Sequence, residues 1–305
     1  MTKKTRIYWL HAVTPLHVGT GIGLGYIDLP IMREKVTNWP LVPGSAIKGV
    51  ISDTYKAQDS RAKDEKKQDL SDEILCAFGR AGDEHSNSGS LVFTDGRIVC
   101  LPVRSLYGTF AWCTSALVLQ RLARDLQQAG TKHPTVPATA SDTQASIPRD
   151  PASKLKNVAE KIYLEDLDFD SVTHPDITEW ANWLSEQVFP DQNEWQTTFK
   201  ERFVVLPNNI FDFLCETGTE VNARIRINDN TKTVDQGALW YEEALPAETI
   251  LSGLIWCDRV FGPNGANLKP ENLLDNYCTH PMDLQIGGKA TVGRGRVHCL
   301  FTEGE

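Results

Sequence analysis

Gln285-Ile286-Gly287-Gly288-Lys289-Ala290-Thr291-Val292-Gly293-Arg294-Gly295-Arg296-Val297 is a glycine-rich, basic loop that feeds a short terminal strand. Four glycines fall within nine positions, 287 to 295. Glycine lets successive N–H groups turn toward an anion and lets a ligand backbone come close, while Lys289, Arg294 and Arg296 supply positive charge. A nucleotide P-loop needs GKS or GKT opening a helix, and a dinucleotide fold needs GxGxxG early in a βαβ unit; neither is present. The plain alternative is a tight turn with incidental basic residues. At the other end, Ile7 to Thr14 alternates in the manner of a strand and runs into a second glycine-spaced loop, Pro15-Leu16-His17-Val18-Gly19-Thr20-Gly21-Ile22-Gly23-Leu24-Gly25. Strands at both ends with helices between them predict an α+β domain of ferredoxin-like type.

Between the ends, Pro43-Gly44-Ser45 predicts a helix start with Ser45 as N-cap, followed by Ile47, Val50, Ile51 and Tyr55 on one face. A helix N-terminus with Lys48 in its first turn is a candidate phosphate site, although many ordinary helices begin this way. Gly89 to Gly96 reads as a strand ending in a turn, and Ile98 to Val103 as a second strand. Trp112, Leu119, Leu122, Ala123 and Leu126 make the apolar stripe of a following helix. Thr131–Ser153, rich in Pro, Thr, Ala and Ser, reads as a mobile loop, and Gln58–Asp72 as a solvated stretch. Glu220 to Leu239 reads as a hairpin turning at Asn228-Asp229-Asn230, with Val221, Ala223, Ile225 and Ile227 on one face and Arg224 and Arg226 on the other.

With 305 residues, 41% of them hydrophobic, the chain can bury a substantial core, as one large domain or a domain with insertions. No apolar run is long enough to span a membrane, and Met1 to Arg6 leads into a short strand rather than a signal region. The seven cysteines are odd in number and never form a CxxC pair, which fits reduced thiols in a cytosolic protein better than a disulfide framework or a zinc site. A net charge of −9 opposes a nucleic-acid partner only on average. Residues 1–50 hold six Lys or Arg against two acids, and residues 160–259 hold twenty Asp or Glu against seven basic residues. A basic groove on an acidic protein is therefore feasible.

His17 and Asp28 lie on or beside the first glycine loop, followed by Arg33 and Glu34. A carboxylate near RNA can hold a metal ion or take the proton of an attacking 2′-hydroxyl, and a histidine can assist. Taken singly, a loop Asp is more often a turn residue and a lone His a structural donor.

Together, His17 with Gly19-Thr20-Gly21, Tyr26-Ile27-Asp28-Leu29-Pro30-Ile31-Met32-Arg33-Glu34 and Val42-Pro43-Gly44-Ser45-Ala46-Ile47-Lys48-Gly49 resemble the N-terminal signature of the RAMP superfamily. The terminal glycine loop is that superfamily's hallmark. The resemblance is closest to the backbone subunit of the type III-B (Cmr) CRISPR effector complex, which is also matched at Phe78-Gly79, Gly89 to Asp95, Pro102 to Gly108 and Gly237 to Glu243. It implies a single RAMP domain over residues 1–305, with a ferredoxin-like (RRM-like) palm, helical insertions and a thumb hairpin within 219–246. It implies further copies of itself stacked in a helical filament on guide RNA, beside other Cmr subunits, and cleavage of complementary target RNA by a reaction needing Mg²⁺ or another divalent metal. Asp28 falls on the family's catalytic, metal-dependent position, with His17, Glu242 and Glu243 as auxiliaries. Gly19, Gly21, Arg33, Ser45, Lys48, Gly287, Gly288, Lys289, Gly293, Arg294 and Gly295 are the implied RNA-binding residues. An inert RNA scaffold of the same complex and a guide-processing endoribonuclease using histidine chemistry are the alternatives.

Overall fold

Ile7, Tyr8, Trp9 and Leu10 form the middle of the first strand, β1 (Thr5–Ala12), and all four are fully buried. A strand apolar at every position needs cover on both faces, unlike an alternating strand with one face in water. The computed structural model describes residues 5–21, 23, 25–59, 71–80, 86–228, 230–262 and 268–303. In it Tyr8 and Leu10 join a cluster with Ile47, Ile51, Leu273 and Leu274, while Ile7 and Trp9 join a second cluster with Leu119, Leu122, Trp180 and Leu184. Most of Gln58–Asp72, along with Lys3 and Lys4, lies outside the described residues.

The strands that follow are β2 (Leu41–Val42), β3 (Gly79–Arg80), β4 (Asn87–Ser88), β5 (Val92–Phe93), β6 (Gly96–Arg104), β7 (Phe110–Ser115), β8 (Gln144–Ile147) and β9 (Lys161–Leu164). The remaining strands are β10 (Leu167–Thr173), β11 (Phe203–Leu206), β12 (Glu220–Ile227), β13 (Val234–Ala244), β14 (Ile250–Trp256), β15 (Met282–Gln285) and β16 (Arg296–Glu303). The helices are α1 (Gly44–Gln58), α2 (Asp72–Phe78), α3 (Ala116–Ala129), α4 (Pro175–Val188), α5 (Asn193–Arg202), α6 (Asn208–Thr217) and α7 (Pro270–Tyr277).

The architecture is mixed α+β. One sheet of 12 strands runs β15-β16-β1-β14-β6-β7-β11-β8-β10-β9, with β2 added on β6 and β5 on β14. β1 is antiparallel to β14 and to β16, and β14 is antiparallel to β6. In chain order α1 and α2 lie between β1 and β6, and α7 between β14 and β16. Tyr8 crosses its partner strand opposite Gly253, where an added Cβ would meet the Tyr8 hydroxyl at 2.3 Å. That hydroxyl instead donates to Thr94 O at 2.8 Å. β12 and β13 pair with each other as a two-stranded antiparallel ribbon outside the large sheet.

Several local readings of the sequence are corrected. Trp112 is on β7 rather than on the helix that follows, because Ser115 caps α3 by accepting Val118 N–H and the helix begins only at Ala116. Ser45 is not an N-cap: Pro43 holds that position, Asp95 accepts Gly44 N–H at 2.8 Å, and Pro43 O takes the N–H groups of Ala46 and Ile47. An anion thus already occupies the start of α1. Of Gly89 to Gly96 only Val92–Phe93 is strand before β6 begins. The reading of Thr131–Ser153 as a loop fails at β8, which lies between β11 and β10 with Ala145 and Ile147 fully buried. Four residues are too short to register as an apolar period, but central pairing secures them.

Ile147→Ala should therefore cost about 2–5 kcal/mol in urea unfolding. Limited proteolysis of the native chain should leave 144–147 uncut until the core opens, and early cutting there would contradict the pairing.

Candidate functional site

Asp28 is exposed, and its Oδ2 accepts the backbone N–H of Tyr241 at 2.8 Å. Its neighbours continue the contact: Leu29 N–H donates to Tyr241 O at 3.1 Å, and Glu243 N–H donates to Leu29 O at 3.0 Å. Leu29 so pairs with Glu242 as a short parallel bridge. The outgoing limb of the same excursion pairs back through Gly19 and Ile31, with Thr20 N–H on Pro30 O at 3.1 Å and Met32 N–H on Val18 O at 2.8 Å. The Asp28 segment is thus laid against the root of the β12–β13 ribbon. Among the described residues Tyr241 N–H is the carboxylate's hydrogen-bond partner.

Glu242 and Glu243 are each 2% exposed. Consecutive strand residues point to opposite faces, so each carboxylate meets a different set of donors. Glu243 accepts Arg33 Nη2 at 2.5 Å, Thr219 Oγ1 at 2.9 Å and Ile31 N–H at 3.0 Å. Glu242 accepts Lys289 Nζ at 2.7 Å, Trp240 Nε1 at 2.8 Å and Arg224 Nε at 3.2 Å. Burial alone would raise the Glu242 carboxyl, but the hydrogen bonds from Lys289 and Trp240 and the lysine's charge outweigh it and hold the group at about 2. Both glutamates, read from the sequence as catalytic auxiliaries, are taken up by internal partners. Arg33 is likewise engaged, donating through Nη1 to Asn38 O and Cys215 O. Next to it Glu34 is held at about 2 by hydrogen bonds from Arg121 and Thr37, which anchors the turn after the Asp28 segment.

His17 is 7% exposed and hydrogen-bonds through Nδ1 to Glu243 O at 2.6 Å. A carbonyl only accepts, so Nδ1 carries the proton. The other ring nitrogen lies beside Gly19, where an added Cβ would come within 3.0 Å. Gly288 N–H donates to His17 O at 2.9 Å, and a Cβ on Gly287 would sit 2.2 Å from that oxygen. His17 therefore ties the glycine loop to the hairpin root.

The terminal loop is closed by Ile286 N–H on Gly295 O at 2.8 Å and Gly295 N–H on Pro15 O at 2.9 Å. Gly287, Gly293 and Gly295 have φ near +80°, the left-handed region that glycine adopts without penalty. Arg294 is 7% exposed, and among the described residues its buried Nη1 has no hydrogen-bond partner. A buried guanidinium N–H without a partner is costly. Gly21, with φ +100°, is exposed. Ser45 is exposed on α1, and Lys48 donates to Leu91 O at 2.8 Å, with burial lowering its pKa. The structure thus brings His17, Gly19, Asp28, Arg33, Glu242, Glu243, Gly287, Gly288 and Lys289 together, and gives Ser45 and Lys48 no bond into that cluster.

Among the described residues no group of three or more His, Cys, Asp or Glu could hold a metal ion. The exposed Asp28 carboxylate fits a Mg²⁺ whose shell is completed by phosphate oxygens and water. Among those residues no helix is long and apolar enough to cross a membrane.

The signature of the RAMP superfamily matches residues 9–298. The chain belongs to the RAMP superfamily. Within it, the chain is 36% identical over 305 residues to the CRISPR system Cmr endoribonuclease Cmr4 of Pyrococcus furiosus, covering 98% of this chain and 96% of that one. It superposes on the crystal structure of oligomeric Cmr4 from Pyrococcus furiosus with a TM-score of 0.70 and 28% identity, over 99% of each chain. A cryo-EM structure of the type III-B Cmr-beta complex bound to cognate target RNA holds a chain of the same fold, at a TM-score of 0.69 and 18% identity, covering 97% of this chain and 96% of that one.

Arg224, Trp240 and the Tyr241 N–H were missed as members of this RAMP site. Alternation had set Arg224 apart from the apolar face of the ribbon, and the same alternation carried through β13 puts Trp240 and Glu242 on the arginine's face.

Two outcomes follow. Glu243→Ala leaves the Arg33 guanidinium without its carboxylate and should cost about 3–5 kcal/mol in urea unfolding, where an unchanged midpoint would refute the pairing. Glu242 is depressed from 4.5 to about 2 on folding, so its contribution is complete above about pH 4.5 and is lost as pH falls toward 2. The stability gap between wild type and Glu242→Gln should accordingly narrow on acidification through that window.

Proposed function

We propose that the chain is a guide-RNA-binding backbone subunit of a cytoplasmic type III-B CRISPR effector complex and cleaves target RNA paired with the guide, with Asp28 as the catalytic residue. The observation that carries this is an exposed carboxylate fixed through one oxygen to the hairpin root, in a chain that matches an endoribonuclease over nearly its whole length. In this reading the palm is ferredoxin-like, supported by the antiparallel order β16-β1-β14-β6 and its two helical crossovers. The β12–β13 ribbon is the thumb. Its exposed Val221, Ile225, Ile227 and Leu239 offer an apolar wedge to unstacked bases. Copies of the chain and other Cmr subunits are its protein partners, and base pairing rather than side chains reads the sequence.

Splaying one nucleotide brings its 2′-hydroxyl in line with the adjacent phosphate. The 2′-oxygen bonds to phosphorus and the bond from phosphorus to the 5′-oxygen breaks, leaving a 2′,3′-cyclic phosphate and a 5′-hydroxyl. Asp28 accepts the 2′ proton, and the departing oxygen takes one from water. A divalent cation held by Asp28 with phosphate oxygens and water would supply charge neutralisation at the reacting phosphate. His17 keeps the glycine loop and the hairpin in register, and Arg294 takes a guide phosphate.

In a complex reconstituted with guide RNA, Asp28→Ala should slow cleavage of labelled target by at least about 100-fold while target affinity stays within about twofold. Chelator should abolish wild-type cleavage. Full cleavage by Asp28→Ala would leave the subunit a scaffold. Arg294→Ala should lower the salt slope of guide binding by about 0.7, the loss of one single-strand phosphate contact, and an unchanged slope would remove that assignment.

A further inference from the structure

Lys289 stands where glycine would be easier. The terminal loop has four residues at positive φ, and three are glycines, whereas Lys289 has φ 67°. A non-glycine residue there costs roughly 1–2 kcal/mol, so the side chain is kept against a backbone preference. Its ammonium goes to Glu242, which also binds Arg224 Nε and Trp240 Nε1. Among the described residues, two cations around one carboxylate leave one positive charge unmatched. Each cation also keeps donors to spare: the Lys289 side chain is 34% exposed and that of Arg224 is 38% exposed, with three and five N–H groups respectively. Glu242 is bridged to Leu29, the residue after Asp28, and adjoins Tyr241, whose N–H holds the Asp28 carboxylate.

We propose that Lys289 and Arg224 form a paired-cation cradle for one target-strand phosphodiester next to the cleaved linkage, and that Glu242 is a positioning residue that fixes both cations. The cradle rests on the cleavage reading given above. A phosphodiester fits it because an ammonium on the glycine loop and a forked guanidinium on the ribbon can each donate to a non-bridging oxygen. Glu242 sets the spacing before RNA arrives, so little reorganisation remains to be done on binding. The cradle spans the loop and the ribbon, and so couples seating of the target strand to the position of the segment that carries Asp28.

The test uses the reconstituted complex, single-turnover cleavage and target RNAs carrying one neutral methylphosphonate at successive linkages around the cleaved one. At one linkage the neutral group should slow wild-type cleavage about tenfold or more, the loss of a charge-assisted hydrogen bond. Lys289→Gln and Arg224→Gln should slow cleavage of unmodified target similarly and show no further loss at that linkage. Glu242→Gln should be intermediate, and Glu242→Gln with Lys289→Gln no slower than Lys289→Gln alone within about twofold. If Glu242→Gln does not fold, the two exposed cations decide the matter by themselves. Equal interference in wild type and in both cation variants overturns the cradle, as does wild-type cleavage by both variants. Asp28→Ala run alongside separates the two ideas: full cleavage there sinks the catalytic assignment, whereas a dead Asp28→Ala beside unaffected cation variants sinks the cradle alone.

Discussion

Two adjacent carboxylates, Glu242 and Glu243, are buried at the root of a solvent-exposed ribbon, and the site depends on how they are satisfied. An ionised group out of water must be paired and hydrogen-bonded or it becomes strongly destabilising. Because neighbours on a strand face opposite ways, one segment cannot serve both. Glu243 draws in Arg33 and the Ile31 N–H from the first excursion, and Glu242 draws in Lys289 from the terminal loop. Segments more than two hundred residues apart in sequence are thereby fixed to one strand. Asp28 is held in place because the chain on both sides of it is bound to that strand.

The glycines complete what the charges begin. His17 O and Ile286 O lie where the Cβ atoms of Gly287 and Gly295 would be, each at 2.2 Å. Those two positions are glycine because backbone packs on backbone there, which makes the terminal loop a tightly registered piece of structure. Glycine in this loop serves the fold first, and access for a ligand backbone follows from it.

The sequence displayed the elements of the fold more clearly than the site. The apolar stripe from Leu119 to Leu126 and the alternation through Val221 to Ile227 each follow a simple period, and Ile7 to Leu10 is an unbroken apolar run, so their elements could be read directly. Ala145 and Ile147 could not, since two apolar residues among Thr, Ser and Pro acquire meaning only from the strands on either side. Ser45 looked like a cap because its residue type favours one, yet Asp95, fifty residues away, supplies the carboxylate. Asp28 and the glycine loop were legible through resemblance. The roles of Glu242 and Glu243 were not, because type and spacing give no sign of whether a carboxylate faces water or a buried arginine.

The same partnering bears on how a chain of net charge −9 could serve RNA as proposed. Much of its positive charge is internal: Arg6 is bonded to Asp275 and Glu303, Arg97 to Asp125, Arg121 to Glu34, and Arg33 to Glu243. Counting basic residues therefore overstates the charge available to phosphate, and averaging over the acidic middle of the chain understates it where it matters. What remains at the loop is narrower and better placed: the buried Nη1 of Arg294, the partly exposed cations on Glu242, and a backbone whose turns need glycine. Under the proposed function such a surface would grip few phosphates, each at a defined position. Under the proposed function, sequence reading is left to base pairing and that kind of grip is what the subunit would need, to hold one linkage in register with one carboxylate.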